Sequence, residues 1–329
     1  MNLKSVWGLF KETINEFNQD RVLRLAAATA YYAIFSIGPL LVLVAGLGGL
    51  IFGQARVRIE VTRQVGSFVG PKSAEVIDSM MSAQLMHGSR MATLIGAVVL
   101  FLGATGAFGQ LQDSLNTIWG VTTKPGQSIV AFIRDRFFSL AMVLVIAFLL
   151  LVSMALTAFV NIFAKYLATL ISVPPWLAPV FNAVLSVATT ALLFALIFKI
   201  LPDVKIRWRH VRDGAIGTAL LFAGGQHLLA LYLKHETSAA AYGAGSAFMA
   251  ILLYVYYSSV ILYLGAEFTQ VYARFYGSRL EPSKYAIRIT DHERAEQGMP
   301  TNEQIERAAR RNTQPAQGAK PGTARPGSR

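Results

Sequence analysis

Residues 27–52 read AATAYYAIFSIGPLLVLVAGLGGLIF and contain no Asp, Glu, Lys or Arg. A bilayer core about 30 Å thick needs about 20 apolar helical residues to cross it, so this stretch can span a membrane. Hydrocarbon offers no water to an open backbone, which leaves a helix as the spanning form of so apolar a segment. The stretch therefore predicts a transmembrane helix, and Pro39 is expected to remove one of its hydrogen bonds and to kink it.

Five further stretches share this character. The predicted spans are residues 27–52, 93–118, 137–163, 179–200, 214–233 and 244–268. The chain is 54% hydrophobic and 15% charged, which is unlike a soluble domain. A soluble protein with an unusually apolar helical core is the alternative, but it does not explain six separate stretches. The predicted fold class is all-α: a polytopic membrane protein with six transmembrane helices and amphipathic surface helices.

The spans divide the chain into three predicted parts. Residues 1–24 form a cytoplasmic amphipathic helix, residues 25–277 form the six-helix transmembrane domain, and residues 278–329 form a basic cytoplasmic tail. Pro, Gly, Gln, Arg and Glu dominate this tail, so it is predicted to be largely disordered beyond about residue 291.

Two segments outside the spans show helical patterns. Apolar residues at three- and four-residue steps indicate that the first segment lies on the membrane surface, with partner docking as the alternative: Trp7, Phe10, Ile14 and Phe17. The first loop predicts two helices, around Val57 to Phe68 and Ser73 to Leu85, broken at Gly70-Pro71. We expect these two helices to cap the outer mouth of the bundle.

Loop charges predict the orientation. Basic residues are concentrated before the first span, in the second and fourth loops and in the tail, whereas the third loop has only Lys165 and the fifth only Lys234. Cytoplasmic loops carry an excess of Lys and Arg, so both termini are predicted to be cytoplasmic. The first loop is an exception, because it carries basic residues together with Glu60, Glu75 and Asp78.

Composition excludes several kinds of site. The chain has no cysteine, which excludes disulfides, thiolate catalysis and Cys-type zinc sites. His227 has no second ligand at metal spacing beside it, and no P-loop lysine follows a glycine cluster. Gly214 and Gly217 instead indicate small-residue contacts between helices. No cofactor, metal site or catalytic residue is predicted.

Polar side chains inside predicted spans are the candidate functional residues, because polar groups in a bilayer are costly and should face one another or water. We predict a polar cavity lined by Tyr32, Ser36, Gln110, Asp113, Asn116, Gln226, Tyr256, Tyr263 and Glu267. The alternative is that these residues pin helices together through hydrogen bonds or anchor span ends, where a carboxylate stays hydrated.

The fourth loop alternates basic, apolar and aromatic residues beside two spans. Anionic lipid headgroups would be contacted by Lys205, Arg207, Arg209 and Arg212. Nucleic acid could use Arg and Trp similarly, but a short loop between spans favours the membrane. Basic residues beside membrane spans also explain the net charge of +12. Membrane lipids are therefore the predicted partners, and no specific nucleic acid is expected.

Several sequence stretches resemble a known family when they are taken in order. They are Ala26-Ala-Ala-Thr-Ala-Tyr-Tyr32, Phe35-Ser-Ile-Gly-Pro-Leu40, Gly106-Ala-Phe, Leu111-Gln-Asp-Ser-Leu-Asn-Thr-Ile-Trp-Gly120, Leu201-Pro-Asp-Val-Lys-Ile-Arg-Trp208, Gly214-Ala215, Tyr242-Gly243-Ala244, Tyr256-Tyr257 and Leu264-Gly-Ala-Glu-Phe268. From Val6 to Gly277 the chain resembles the YihY/BrkB family of bacterial inner-membrane proteins. The resemblance implies six spans and an inner-membrane location, without an established activity. Members carry the labels virulence factor and ribonuclease BN, and some are connected with export of envelope lipid or lipopolysaccharide.

Two function classes follow from these features. The first is a transporter or flippase-like permease for an amphiphilic or lipid-linked envelope component, indicated by polar span faces beside a basic loop and by the resemblance. The second is a non-transporting scaffold for envelope assembly, which needs no cavity. A ribonuclease is not favoured, because the cytoplasmic carboxylates and histidines show no ligand spacing. The sequence does not name the substrate, the energy source or the oligomeric state.

Overall fold

The computed structural model describes residues 3–85, 106–124, 177–235, 245–276, 281–283, 286–296, 298–299 and 304. Most of these residues are helical, as the apolar patterns predict. The predicted span at residues 137–163 lies outside the described residues, as does the second predicted span up to residue 105.

Helices dominate the described part of the chain. They are α1 (Leu3–Gln19), α2 (Val22–Phe52), α3 (Gln54–Val69), α4 (Pro71–Leu85), α5 (106–118), α6 (Leu177–Ile200), α7 (Trp208–His235), α8 (Gly245–Phe275) and α9 (Asp291–Glu296). Four short strands accompany them: β1 (Val121–Thr123), β2 (Val204–Lys205), β3 (Glu281–Pro282) and β4 (Ala286–Arg288).

Two of the described helices, α6 and α8, are long and apolar enough to cross a bilayer, at Val180–Ile200 and Ala247–Phe275. Only 11% of the apolar window of α6 and 28% of that of α8 are buried. A core helix of a soluble protein would be mostly buried, so these exposed apolar surfaces favour a lipid environment. The predicted count of six spans is not confirmed.

The predicted first and fifth spans are helices in the structure. Helix α2 has 31 residues and is continuous across Pro39, so at about 1.5 Å per residue it is about 46 Å long. Helix α7 has 28 residues and contains the predicted span at 214–233. Both are longer than the hydrocarbon core, but whether they cross the membrane stays a prediction.

One large core joins the helices of the bundle. Helix α6 packs on α7, α7 packs on α8, and α2 packs on the other side of α8. Fully buried side chains mark the centre of this core: Val22, Leu115, Phe198, Val211 and Tyr263. The core therefore includes α5 as well as the four long helices.

The first loop folds as the helical hairpin that the sequence predicts. Helices α3 and α4 pack on each other and on α2 and α8, and Gly70 between them has a φ of +100°. That backbone angle suits glycine, so the Gly-Pro break is confirmed. A second core lies beneath the hairpin and is made by Leu41, Val69, Ile77, Met81 and Ile251.

A basic end of the bundle gathers four segments that are distant in sequence. Strand β1 pairs with β4 and strand β2 pairs with β3, both antiparallel. Helix α1 joins the same end, because Glu16 forms a 2.9 Å ion pair with Arg274 at the end of α8. We define the basic end as the turn after α5 with strand β1, loop 201–207, and strands β3 and β4.

These pairings change the predicted boundary of the tail. The sequence predicts that the folded domain ends at residue 277, but the first compact unit extends to Arg288 because β3 and β4 belong to it. The all-helical prediction also missed four strands, since strands of two or three residues are too short to show an alternating pattern.

The second unit begins at Ile289 and contains helix α9. Thr290 and Glu293 form a capping box: the backbone N–H of Thr290 donates to Glu293 Oε2 at 2.8 Å, and the N–H of Glu293 donates to Thr290 Oγ1 at 3.3 Å. Residues 291–296 are therefore helical, because a local cap needs no apolar period, and the prediction that the tail is largely disordered beyond about residue 291 stays a prediction.

Helix α1 turns the first three residues of its predicted apolar stripe outward, whereas the fourth, Phe17, packs against the main core. Trp7, Phe10 and Ile14 are exposed, and the rings of Trp7 and Phe10 stack with centroids 6.2 Å apart. The buried side instead carries Leu9 and Thr13. An outward aromatic stripe is what a membrane-surface helix requires.

Candidate functional site

A cluster of hydroxyl and amide groups lies inside the bundle where α2, α5 and α8 meet. Tyr263 is fully buried, and its hydroxyl is 2.5 Å from Thr29 Oγ1. Ser114 is a second hydrogen-bond partner of Tyr263, and Gln110 Nε2 donates to Ser114 Oγ at 3.1 Å. We call these four residues the tyrosine cluster. It ties three helices together through a polar path in an otherwise apolar core.

The face of α8 that carries Tyr263 points into the protein. Glu267 lies one turn further along and is 0% exposed, and Gln270 is 8% exposed. Gln270 accepts a hydrogen bond from Arg274 Nη2 at 2.7 Å. Tyr256, two turns before Tyr263, is half-buried against the main core. A buried carboxylate in an apolar helix is costly, which makes Glu267 the strongest single candidate for function.

Asp203 organises a second cluster, at the basic end. Asn116 Nδ2 donates to Asp203 Oδ2 at 3.0 Å, and the backbone N–H of Asp203 donates to Asn116 Oδ1 at 2.8 Å. Gln112 Nε2 adds a 3.3 Å contact to the same carboxylate, and the N–H of Ser283 donates to the Asp203 carbonyl at 2.8 Å. We call Gln112, Asn116 and Asp203 the Asp203 cluster. It fastens loop 201–207 to α5 and to the chain after α8.

The remaining predicted cavity residues lie elsewhere. Ser36 is buried and donates to the carbonyl of Tyr32, whose own side chain is 44% exposed. Gln226 Nε2 donates to the hydroxyl of Tyr254 at 3.2 Å. Asp113 is exposed at the side of α5. The structure therefore brings Gln110 and Tyr263 together, but it distributes the nine predicted residues over several small groups.

Close backbone packing joins α7 and α8. A Cβ built on Gly214 would lie 1.9 Å from Thr269 Oγ1, and one built on Gly265 would lie 2.0 Å from Thr218 Oγ1. Each threonine hydroxyl donates to the carbonyl of the glycine four residues before it in its own helix. The prediction of small-residue contacts is confirmed for Gly214. For Gly217 no described residue lies within 4 Å of a built Cβ, so the predicted contact is not found in the described part of the chain.

The four basic residues of the fourth loop are all exposed, as a contact with lipid headgroups requires: Lys205, Arg207, Arg209 and Arg212. Lys199 fixes the nearby Trp208, because its Nζ donates to the carbonyl of Ile206 and lies 5.7 Å from the centre of the indole ring. Trp208 stays 55% exposed at the start of α7.

A groove of about 340 Å³ runs between α6 and α7 beside Trp208. It is lined by Ala191, Leu192, Ala195, Trp208, Arg209, Arg212, Ala215 and Ile216. Its walls are almost wholly apolar, and the two arginines lie at the end nearest the basic loop.

Ion pairs occupy the opposite end of the bundle, on the α3–α4 hairpin. Arg58 donates from Nε and Nη2 to the two carboxylate oxygens of Asp78, at 2.6 and 2.5 Å. These hydrogen bonds hold the pKa of Asp78 below its ordinary value. Within α3, Arg63 likewise lowers the pKa of Glu60. At neutral pH the Arg58–Asp78 pair joins the two helices of the hairpin and the Arg63–Glu60 pair supports α3 alone, although such exposed pairs contribute little each.

Metal chemistry has no evident centre in the described part of the chain, where no group of three or more His, Asp or Glu residues could hold an ion. His227, the histidine within α7, is exposed. The prediction that the chain binds no metal and has no catalytic residue stays a prediction.

Comparison with known proteins gives the family. The family model described as Virulence factor BrkB matches residues 13–288, which is most of the chain. This chain belongs to the BrkB family. The match ends at the last residue of strand β4, so the family unit coincides with the first compact unit of the structure.

The relatives found carry the name UPF0761 membrane protein. One from Xanthomonas oryzae pv. oryzae is 25% identical over 260 residues, covering 79% of this chain and 59% of its own length. Others, from Idiomarina loihiensis and Alteromonas mediterranea, are 26% and 24% identical and cover 60% and 81% of this chain and 67% and 87% of their own. The chain thus spans about 59% of the length of the Xanthomonas relatives. No solved structure matches it. These names agree with the apolar helices, and the chain is a membrane protein.

Three of the stretches that resemble the BrkB family supply residues of the contacts described above. Stretch 111–120 carries the amide side of the Asp203 cluster, and stretch 201–208 carries Asp203 itself. Stretch 264–268 supplies Glu267 and Gly265.

Sequence reasoning missed several of the residues that matter here. Asp203 was considered only as a loop carboxylate, and Ser114 and Thr269 were not singled out. A small polar residue four positions after a glycine or a glutamine in an apolar helix is the signal that could have found Ser114, Thr218 and Thr269.

Proposed function

We propose that this BrkB-family protein is a bacterial inner-membrane permease of the flippase type, acting on an amphiphilic or lipid-linked envelope component. The observation that carries the proposal is Glu267, a carboxylate without solvent exposure on a helix apolar enough to span a bilayer. Ionisable groups in such positions are expensive and mark substrate or proton paths. Tyr263 of the tyrosine cluster lies one turn away from Glu267 on the same face of α8, and the other members of the cluster supply further polar groups.

The orientation forms part of the proposal, with both termini in the cytoplasm. Loops predicted to be inside from their charge meet at one end of the fold, where β1 pairs with β4 and β2 with β3. The outward stripe of α1 and the exposed basic residues of the fourth loop would then face the inner leaflet, which is rich in anionic lipid. Partner docking by α1 is the alternative use of that stripe.

A scaffold role is the second candidate, and one observation favours it. Several polar groups predicted to line a cavity are hydrogen-bonded to protein groups: Gln110 to Ser114, Asn116 to Asp203, Gln226 to Tyr254 and Tyr263 to Thr29. Two of these bonds, Gln226 to Tyr254 and Tyr263 to Thr29, join different helices, and interhelical hydrogen bonds hold a bundle in one arrangement. A scaffold for envelope assembly would need that rigidity and no path for a substrate.

The variant Glu267→Gln distinguishes a permease from a scaffold. In vesicles containing a fluorescent phosphatidylglycerol, we expect the wild-type protein to speed movement of the lipid between leaflets at least tenfold, and the Glu267→Gln protein to lose most of this rate. Glu12→Gln, the same change at an exposed position of α1, should keep the rate. A wild-type protein that moves neither this lipid nor a lipid-linked saccharide, yet restores an envelope defect in cells, would support the scaffold.

We assign no enzymatic activity to the chain. The Asp203 carboxylate accepts hydrogen bonds from the amide side chains of Gln112 and Asn116, and no group of carboxylates and histidines in the described residues is arranged as a ligand set. Cleavage of RNA by the purified protein with added Mg²⁺, Mn²⁺ or Zn²⁺ would contradict this assignment.

A further inference from the structure

The groove between α6 and α7 combines three features that belong together in a lipid site. Its walls are apolar, it opens to the outside of the bundle, and two arginines lie at one end. Leu192 and Ile216 line it and are 48% and 45% exposed, so the groove faces the surroundings of the helices. Because α6 is long and apolar enough to cross the bilayer, those surroundings are lipid chains.

The size of the groove suits part of one lipid rather than a whole folded substrate. Its volume of about 340 Å³ is at the low end of the range of about 300–1,000 Å³ that is usual for small-molecule sites. The groove exists because its wall residues Ala191, Ala195 and Ala215 have small side chains, which leave space between the two helices. A flexible hydrocarbon chain fills such a groove without needing a hydrogen-bond partner.

The charged end of the groove specifies the headgroup. Arg209 forms no ion pair within the described residues, and Arg212 pairs with the carboxylate of Asp213 at 2.9 Å. The side chain of Arg212 is 67% exposed in this pair, so it can take a phosphate as an additional partner at little cost. Guanidinium groups bind phosphate oxygens in a bidentate manner. A headgroup with net negative charge is favoured over a zwitterionic one, because it has no cationic group for the two arginines to repel.

Trp208 completes the site at the level where headgroup and chain meet. Lys199 holds its indole ring through the cation–π contact, and tryptophan is enriched at this depth of a membrane. We propose that the groove is a discrete site for one anionic phospholipid, with an acyl chain between α6 and α7 and the phosphate on Arg209 and Arg212. This inference rests on the proposed contact of the basic loop with anionic lipid, and it does not require transport.

The test uses native mass spectrometry of the full chain released from micelles that contain equal amounts of phosphatidylglycerol and phosphatidylcholine. The wild-type protein should retain one phosphatidylglycerol. The double variant Arg209→Gln/Arg212→Gln should lower the retained fraction at least tenfold. Lys205→Gln/Arg207→Gln removes the same charge from the same loop outside the groove, and it should lower the retained fraction much less than the groove variant does.

Filling the groove with a larger side chain tests the acyl-chain half of the site. Ala191→Phe leaves every charge intact and should also displace the retained lipid, while glycerol 1-phosphate, which has the headgroup without a chain, should not compete with it. Circular dichroism of each variant in the same micelles verifies that the helices remain.

The outcomes separate this site from the wider proposal. If both double variants lose lipid equally, or if Ala191→Phe retains it, the groove is not the site and the basic loop attracts anionic lipid only as a charged surface. If the wild-type protein holds phosphatidylglycerol no better than phosphatidylcholine, both the groove and the proposed lipid contact of the loop are refuted.

Discussion

Replacing Gly214 with alanine tests the contact that joins α7 to α8. The added Cβ would lie 1.9 Å from Thr269 Oγ1 and 2.8 Å from its Cβ, and the second of these atoms cannot rotate away. The helices must therefore separate, and overpacking of this kind costs about 1–3 kcal/mol. Alanine is better than glycine inside a helix by about 1 kcal/mol, which offsets part of the loss.

Gly217 provides a matched control on the same helix. No described residue lies within 4 Å of a Cβ built there, so Gly217→Ala gains helix propensity without a clash against the described part of the chain. We expect it to be more stable than the wild type by up to about 1 kcal/mol. The two alanine variants should consequently differ by about 1–3 kcal/mol, although they carry the same chemical change three residues apart.

The measurement is the unfolding midpoint in mild detergent titrated with dodecyl sulfate, followed by helical circular dichroism. Adding Thr269→Ala to Gly214→Ala removes the closest atom and should recover part of the loss, which a double-mutant cycle reports as a coupling energy. Equal midpoints for Gly214→Ala and Gly217→Ala, or no recovery in the double variant, would refute the proposed packing.

Two further predictions concern the two ends of the bundle. Asn116→Ala removes both hydrogen bonds to Asp203 and should cost about 1–3 kcal/mol in the same unfolding assay, whereas Gln112→Ala, which loses one 3.3 Å contact, should cost less. Equal losses would show that Asn116 is not the main fastening of the loop. At the other end, the lowered pKa of Asp78 means that its pair with Arg58 stabilises the hairpin above the ordinary Asp pKa of 3.8 and is lost as the pH falls below that value. After correction for the intrinsic pH dependence of amide exchange, the protection of α3 and α4 should fall over that acidic range, and Asp78→Asn should remove this pH dependence. An unchanged pH dependence in the variant would assign it to another group.

The helices could be predicted from the sequence because burial in lipid is read from runs of side chains that are near one another in the chain. The break at Gly70-Pro71 was predicted for the same reason, since both residues act on their own backbone. The inward face of α8 was also predicted from the steps between Tyr256, Tyr263 and Glu267, because helical periodicity is local.

The partners of polar groups could not be predicted in this way. Asn116 and Asp203 are far apart in the chain, and the contact of Tyr263 with Thr29 joins residues 234 positions apart. Nothing near Thr29 in sequence specifies which of several helices will face it. The choice between one polar cavity and several bonded groups depends on such distant contacts, so it stayed open until the fold was known.

By itself, the sequence determined that this is a helical membrane protein with a basic side, because transfer from water to lipid depends on the composition of each segment. Only the tertiary structure decided which glycine is a contact, which side of α1 is buried and that residues 281–288 belong to the folded unit. These three features depend on the shape of surfaces that other parts of the chain contribute. The physical reason is that van der Waals contact and hydrogen bonding act over a few ångströms in space, whatever the separation in sequence.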